Sequence, residues 1–165
     1  MSNEFKWSDA YSVGVAEIDA QHKTLFELLE KLQQAVHAKH GSAACIEILD
    51  ELVAYTKVHF TLEESLMRLS HYPDLEAHQK RHRDLVAEVE AMYEKIHSGG
   101  GAISFELLHF LRNWLTKHIL SEDMRYAGHF AKSGFGTGTQ PAAAAPAAAR
   151  ALAKAPAARP WWKFW

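Results

Sequence analysis

Apolar residues recur along this chain at the three-and-four spacing that marks one buried face of a helix. Four segments show it. The first, about 19–39, carries Leu25, Phe26, Leu29, Leu32 and Val36, with His22 on the same face and Asp19 as its N-cap. After Gly41 and Ser42, a segment of about 43–68 turns Ile46, Leu49, Val53, Thr56, His59, Phe60, Glu63 and Met67 inward. Pro73 suits the first turn of a third helix, and Asp74 and Glu76 suit its positive N-terminal end. That helix runs to about 97 through Leu75, His78, His82, Leu85, Val89, Met92 and Ile96, until Gly99, Gly100 and Gly101 stop it. The fourth, about 103–120, carries Leu108, Leu111, Trp114, Leu115, His118 and Ile119. Four such helices with short connections predict an all-α fold, an antiparallel up-down-up-down four-helix bundle. Residues 1–17, with Trp7, Tyr11, Val13 and Val15, read as an extended N-terminal arm.

Past residue 133 the pattern stops. Three Gly and four Pro between 134 and 160 cannot share in a packed core, so 1–133 is expected to form the bundle domain and 134–160 a flexible linker. Residues 161–165, WWKFW, read as an aromatic and basic tail anchor. Indole rings and cations together suit a membrane–water interface, so a membrane surface or a membrane enzyme is one candidate docking partner, and a partner protein's groove that takes Trp as an anchor is another. A tail whose aromatics fold back on the bundle is the plainer alternative and stays open.

Charge sharpens this division. Residues 1–123 hold all 20 acidic side chains against 12 basic ones, a net −8, whereas 124–165 hold six basic residues and no acid. An acidic body excludes nucleic acid as a partner. Residues 1–11, MSNEFKWSDAY, lack the apolar stretch of a signal peptide, and no apolar run nears the roughly 18 residues of a membrane span. A cytoplasmic monomer is expected. Cys45 is the only cysteine, which excludes an intrachain disulfide and a thiolate-rich cluster.

Candidate chemistry lies on the buried stripes themselves. A lone inward histidine is ordinarily a satisfied core residue, but charged groups are seldom buried unless paired or bound to metal. Here His22, His59, Glu63, His78, His82 and His118 fall on apolar stripes of four helices, with Asp123 just beyond the last. His59 with Glu63, and His78 with His82, are four apart and so share a helix face. His118 and Asp123 are not: five residues at about 100° each leave them roughly 140° apart. A helix end or a wider π-type turn is therefore predicted near Leu120–Asp123. Together the residues describe a site for two metal ions. Two octahedral ions offer roughly twelve positions, and five imidazoles, two bridging carboxylates and one bridging oxygen fill all but about one of them. One vacancy in an apolar shell suits a small diatomic molecule better than oxidative turnover.

These residues resemble the hemerythrin family, in particular its bacterial single-domain members, the bacteriohemerythrins. The likeness spans about residues 7–130, from Trp7 through V-G-V-A-E-I-D-A-Q-H-K-T-L-F (13–26), H-F-T-L-E-E (59–64), H-Q-K-R-H (78–82) and W-L-T-K-H-I-L-S-E-D (114–123). The resemblance implies a non-haem di-iron centre, oxo- or hydroxo-bridged, that binds O2 reversibly for carriage, storage or delivery. It assigns His78, His82 and His118 to one iron, His22 and His59 to the other, and Glu63 and Asp123 as bridges. By similarity and helical phase, Leu25, Phe60, Trp114, Leu115 and Ile119 should line the O2 pocket. Tyr126, three residues after Asp123, is a candidate hydrogen-bond partner behind the ligands.

A binding protein rather than an enzyme is expected, because nothing outside the metal shell is placed as a general acid or base. An O2 or redox sensor, a peroxide- or nitric-oxide-consuming di-iron protein and an iron store are the competing readings. Of the remaining histidines, His109 lies half a turn from the His118 face, and His37 and His97 lie about 22 Å beyond ligands along their helices, so they read as surface groups.

Overall fold

The computed structural model describes residues 5–40, 42–98, 103 and 105–135. They form an antiparallel four-helix bundle with no strand among the described residues. Helix α1 spans Ala16–His37, α2 Ser42–Leu69, α3 Leu75–Ser98 and α4 Phe105–His118; a π-helical turn, Ile119–Asp123, then leads into α5, Met124–Lys132. The alternation of direction puts His22 near the start of α1, Glu63 near the end of α2, His78 near the start of α3 and His118 at the end of α4. All therefore fall at one end of the bundle. The expected linker and aromatic tail lie, from residue 136 onward, outside the described residues.

The stripes read from the sequence are the core. Leu25, Phe26, Leu29, Leu32, Leu49, Phe60, Leu85, Val89, Leu111, Leu115 and Ile119 are buried in one cluster. A second cluster, at the end of the bundle that carries His22, Glu63, His78 and His118, joins Val13, Val15 and Ile18 to Met67, Tyr72, Tyr126 and Phe130. The arm carries one short 3-10 turn, Asp9–Tyr11, and lays Phe5 flat on Phe26 with ring centroids 4.5 Å apart.

Three local expectations shift. Asp19 is not the N-cap of α1, which begins three residues earlier. Its carboxylate instead ties down the arm, accepting from Val13 N–H at 2.8 Å and the Ser12 hydroxyl at 2.6 Å across a turn that Gly14 makes at φ +76°. Pro73 lies in the turn ahead of α3, where the Asp74 carbonyl accepts the first helical bond, from His78 N–H. The fourth helix does not end near residue 120 but continues through the π turn into α5.

Helices α1, α2 and α5 end alike. His40 N–H bonds to Ala35 C=O, Tyr72 to Met67 and Phe135 to Phe130, each reaching back five residues. Such an ending needs a left-handed residue. Gly134 supplies it without strain, while Lys39 at φ +54° and His71 at φ +55° take it as non-glycines.

Candidate metal centre

Seven polar or charged side chains are buried among the described residues: His22, His59, Glu63, His78, His82, His118 and Asp123, none more than 5% exposed. Neither Lys nor Arg is among them. The structure brings all seven expected residues to one place, in two groups that share Glu63. Glu63, His78, His82 and His118 form one; His22, His59, Glu63 and Asp123 form the other, with ligand atoms within 4.8 Å of each other in each.

The ring nitrogens point at shared centres rather than at partners of their own. His82 Nε2 lies 3.1 Å from His118 Nε2. Glu63 Oε2 lies 3.3 Å from His82 Nε2, 3.4 Å from His78 Nε2 and 3.8 Å from His59 Nε2. Asp123 straddles the two groups, with Oδ1 3.1 Å from His118 and Oδ2 3.3 Å from His22. The π turn makes that reach possible: its wider winding carries Asp123, five residues on, back over His118, while Glu122 swings outward to meet Arg81 at 2.9 Å. This is the helix irregularity that the His118–Asp123 spacing requires.

Electrostatics say what is missing from the balance. Burial, opposed in part by Glu63 and assisted by His22, lowers the His59 pKa from 6.5 to about 3, so this imidazole stays neutral. Burial pushes Glu63 upward, but His59 and hydrogen bonds from His78 and His82 prevail and hold it well below the ordinary carboxylate range. Asp123 is lowered too: burial and Glu63 oppose ionisation, and His118 and His22 outweigh them. Two buried carboxylates thus lie side by side with no Lys or Arg among the buried residues described. Both oxygens of Asp123 and both ring nitrogens of His22 are buried without a hydrogen bond. Orphaned donor atoms of this kind, converging as five nitrogens and two carboxylates, fit divalent metal ions.

Partners behind the ligands complete the site. Tyr126, fully buried, donates its hydroxyl to Glu63 Oε1, as its place after Asp123 suggests. His82 Nδ1 donates to Glu64 Oε1 at 2.8 Å, and His59 Nδ1 to Gln21 Oε1 at 3.1 Å. Neither Glu64 nor Gln21 was singled out in the sequence, although each is the immediate neighbour of a candidate ligand. Phe60 stacks on His82 at 3.6 Å and 6°, and Trp114 on His118 at 4.5 Å and 16°.

Next to Trp114 an apolar cavity of about 40 Å³ opens between all four helices. Leu25, Trp114 and Leu115, three of the five residues expected around an O2 pocket, line it together with Leu29, Val89 and Leu111. Phe60 and Ile119 are buried nearby but outside that lining. Thr56, the one polar residue on the wall, donates its hydroxyl to Leu52 C=O of its own helix. His37 and His109 are exposed as expected, and His40 and His71 are exposed too. His129 departs from that pattern, half-buried and bonded to Ser70 C=O at 2.8 Å, edge-on to Tyr72; the His97 side chain lies outside the described residues.

A bundle whose helices converge histidines and carboxylates on one buried point belongs, as a class, with helical metal-binding proteins. The chain is a member of the hemerythrin family: residues 13–130 match the family model described as hemerythrin HHE cation binding domain. It is 38% identical over 121 residues to a bacteriohemerythrin of Stenotrophomonas maltophilia, covering 73% of this chain and 78% of that one. A myohemerythrin of Theromyzon tessulatum is 32% identical over 75% of this chain and 92% of its own. A crystal structure of wild-type hemerythrin superposes with a TM-score of 0.71 at 31% identity, over 76% of this chain and 97% of that one. No helix among the described residues is long and apolar enough to cross a membrane.

Proposed function

We propose that this chain binds O2 reversibly at a non-haem di-iron centre. His78, His82 and His118 hold one iron, His22 and His59 the other, and Glu63 and Asp123 join them. The observation that carries the reading is the buried cluster itself, two ligand groups sharing Glu63 with no fixed cation to balance their carboxylates. Iron at both positions supplies the electrons that O2 binding draws on. The protein's own part is to orient and to exclude water. Asp123 presents one oxygen to each group, Tyr126 steadies Glu63, and the largely apolar cavity beside Trp114 has room for a small apolar molecule.

Carriage or storage is the reading we favour, because the groups that meet the ligands from behind, Tyr126, Glu64 and Gln21, are each engaged in a hydrogen bond to a ligand side chain. The test is anaerobic loading with ferrous iron followed by optical titration with O2. An absorption that appears with O2 and fades under vacuum through repeated cycles is expected. Irreversible oxidation at the first exposure would refute carriage, and rapid turnover of added peroxide would favour an enzyme instead.

A further inference from the structure

Behind its imidazoles the candidate centre is lopsided. In one half His82 Nδ1 donates to a carboxylate, Glu64 Oε1, at 2.8 Å, and Gln79 Nε2 donates to the other oxygen, Oε2, also at 2.8 Å. Both oxygens of Glu64 are thereby engaged, and two rings of this half are clamped, His82, which Glu64 serves, by Phe60 and His118 by Trp114. In the other half His59 Nδ1 meets the neutral amide of Gln21 at 3.1 Å. His22 has neither ring nitrogen hydrogen-bonded, and its aromatic neighbour Trp7 stands off at 6.3 Å with the planes 35° apart.

We propose that the two halves are unequal metal sites, an inference that rests on the di-iron reading. The Glu63–His78–His82–His118 half fills first and holds its ion more tightly; the His22–His59 half fills second and releases first. Glu64 and Gln21 are the positioning residues that set the difference. A carboxylate on the far nitrogen fixes the ring's tautomer and orientation and makes the imidazole a stronger donor, and losing such a partner typically weakens metal binding about 10–100-fold. An amide oxygen fixes the tautomer without adding charge. Clamped rings also lose less freedom when an ion arrives, so the stacked half is the better prepared of the two. Glu64 lies at the margin of the bundle, its side chain 23% exposed, so an isosteric change there leaves the core alone.

The experiment is an anaerobic titration of the metal-free full chain with cobalt(II), read by its visible d–d absorption against a competing chelator. Two separable steps are expected. Glu64→Gln should weaken the first step about 10–100-fold and leave the second step and the helical circular dichroism unchanged. Glu64→Asp should recover part of the loss. Gln21→Glu should tighten the second step, a gain that misfolding cannot imitate. Two equal steps in the unmodified chain would overturn the inequality while leaving the di-metal reading standing. Equal weakening of both steps by Glu64→Gln would reduce Glu64 to a structural role. A chain that binds no cobalt would overturn both readings.

Discussion

Replacing Tyr126 by Phe isolates one hydrogen bond at the centre. The ring is fully buried among Val13, Val15, Ile18, Met67 and Phe130, so the substitution removes an oxygen and leaves the packing in place. Burial, then the charges of Asp123 and Glu63, raise the phenol pKa well above 10, so the hydroxyl is a donor at every working pH. Its acceptor is a carboxylate with no fixed cation nearby, and a hydrogen bond to such a group is worth about 1.5–3 kcal/mol. For a bundle of this size that lowers Tm by roughly 5–10 °C. Metal-free Tyr126→Phe should therefore melt lower by that margin with unchanged helical circular dichroism. In the metal-loaded chain the deficit should shrink, because bound metal shares the charge of Glu63. Thermal and urea unfolding of both forms measure it. An unchanged metal-free melting point would refute the reasoning, and so would an equal deficit with and without metal.

Acid should unfold the metal-free chain early. The unfolded chain takes up a proton at His59 near pH 6.5 while the native one resists it down to about 3, so stability is full above 6.5 and falls below it by up to about 1.4 kcal/mol per pH unit. Glu63 and Asp123, held low in the native state, add to the loss further down; urea midpoints that stay flat from pH 8 to 4 would contradict this. His118→Ala should lose most bound iron, because it strands the remaining ligands in the core; iron content still near two per chain would show the ligand set to be wrong. Lys39→Gly should stabilise the chain by about 0.5–1 kcal/mol, since its φ of +54° suits glycine, and a lower Tm would count against it. Deleting exposed Ser121 sets His118 and Asp123 four apart, the spacing of His59 and Glu63. That chain should fold and still bind two metal ions, whereas a folded but metal-free product would show that Asp123 depends on the wide turn and not on helical phase alone.

The candidate ligands were legible because each breaks the pattern it sits in. A carboxylate or imidazole on an apolar stripe has to answer for its burial, and Glu63 among His59, Phe60 and Met67 does so only with a metal or an opposing charge. The arm's anchor was hidden for the opposite reason. Asp19 ahead of an apolar run looks like an N-cap, and only the fold shows its carboxylate spent on Val13 and Ser12. Glu64 and Gln21 escaped notice because a polar residue on a helix margin is ordinary, and its meaning depends on which ring lies across from it in the neighbouring helix.

The passage from α4 to α5 shows where periodicity both succeeds and stops. Continued as a regular helix from Leu111, Leu115 and His118, the stripe would next turn Glu122 inward and leave Asp123 to one side. The structure does the reverse: Asp123 is fully buried, and Glu122 reaches Arg81 at the surface. One residue has in effect been added to the helix and absorbed by bonding five apart instead of four. Beyond the turn the stripe resumes in a new phase, Asp123, Tyr126 and Phe130, all fully buried. The mismatch of 140° was visible from numbers alone. That α5 resumes as a helix was not, because its apolar face acquires a partner only when Val13, Val15 and Met67 close over the metal end. The same turn thus supplies Asp123 to the candidate site and Tyr126 to Glu63, so the geometry of the site and the packing of the arm stand or fall together.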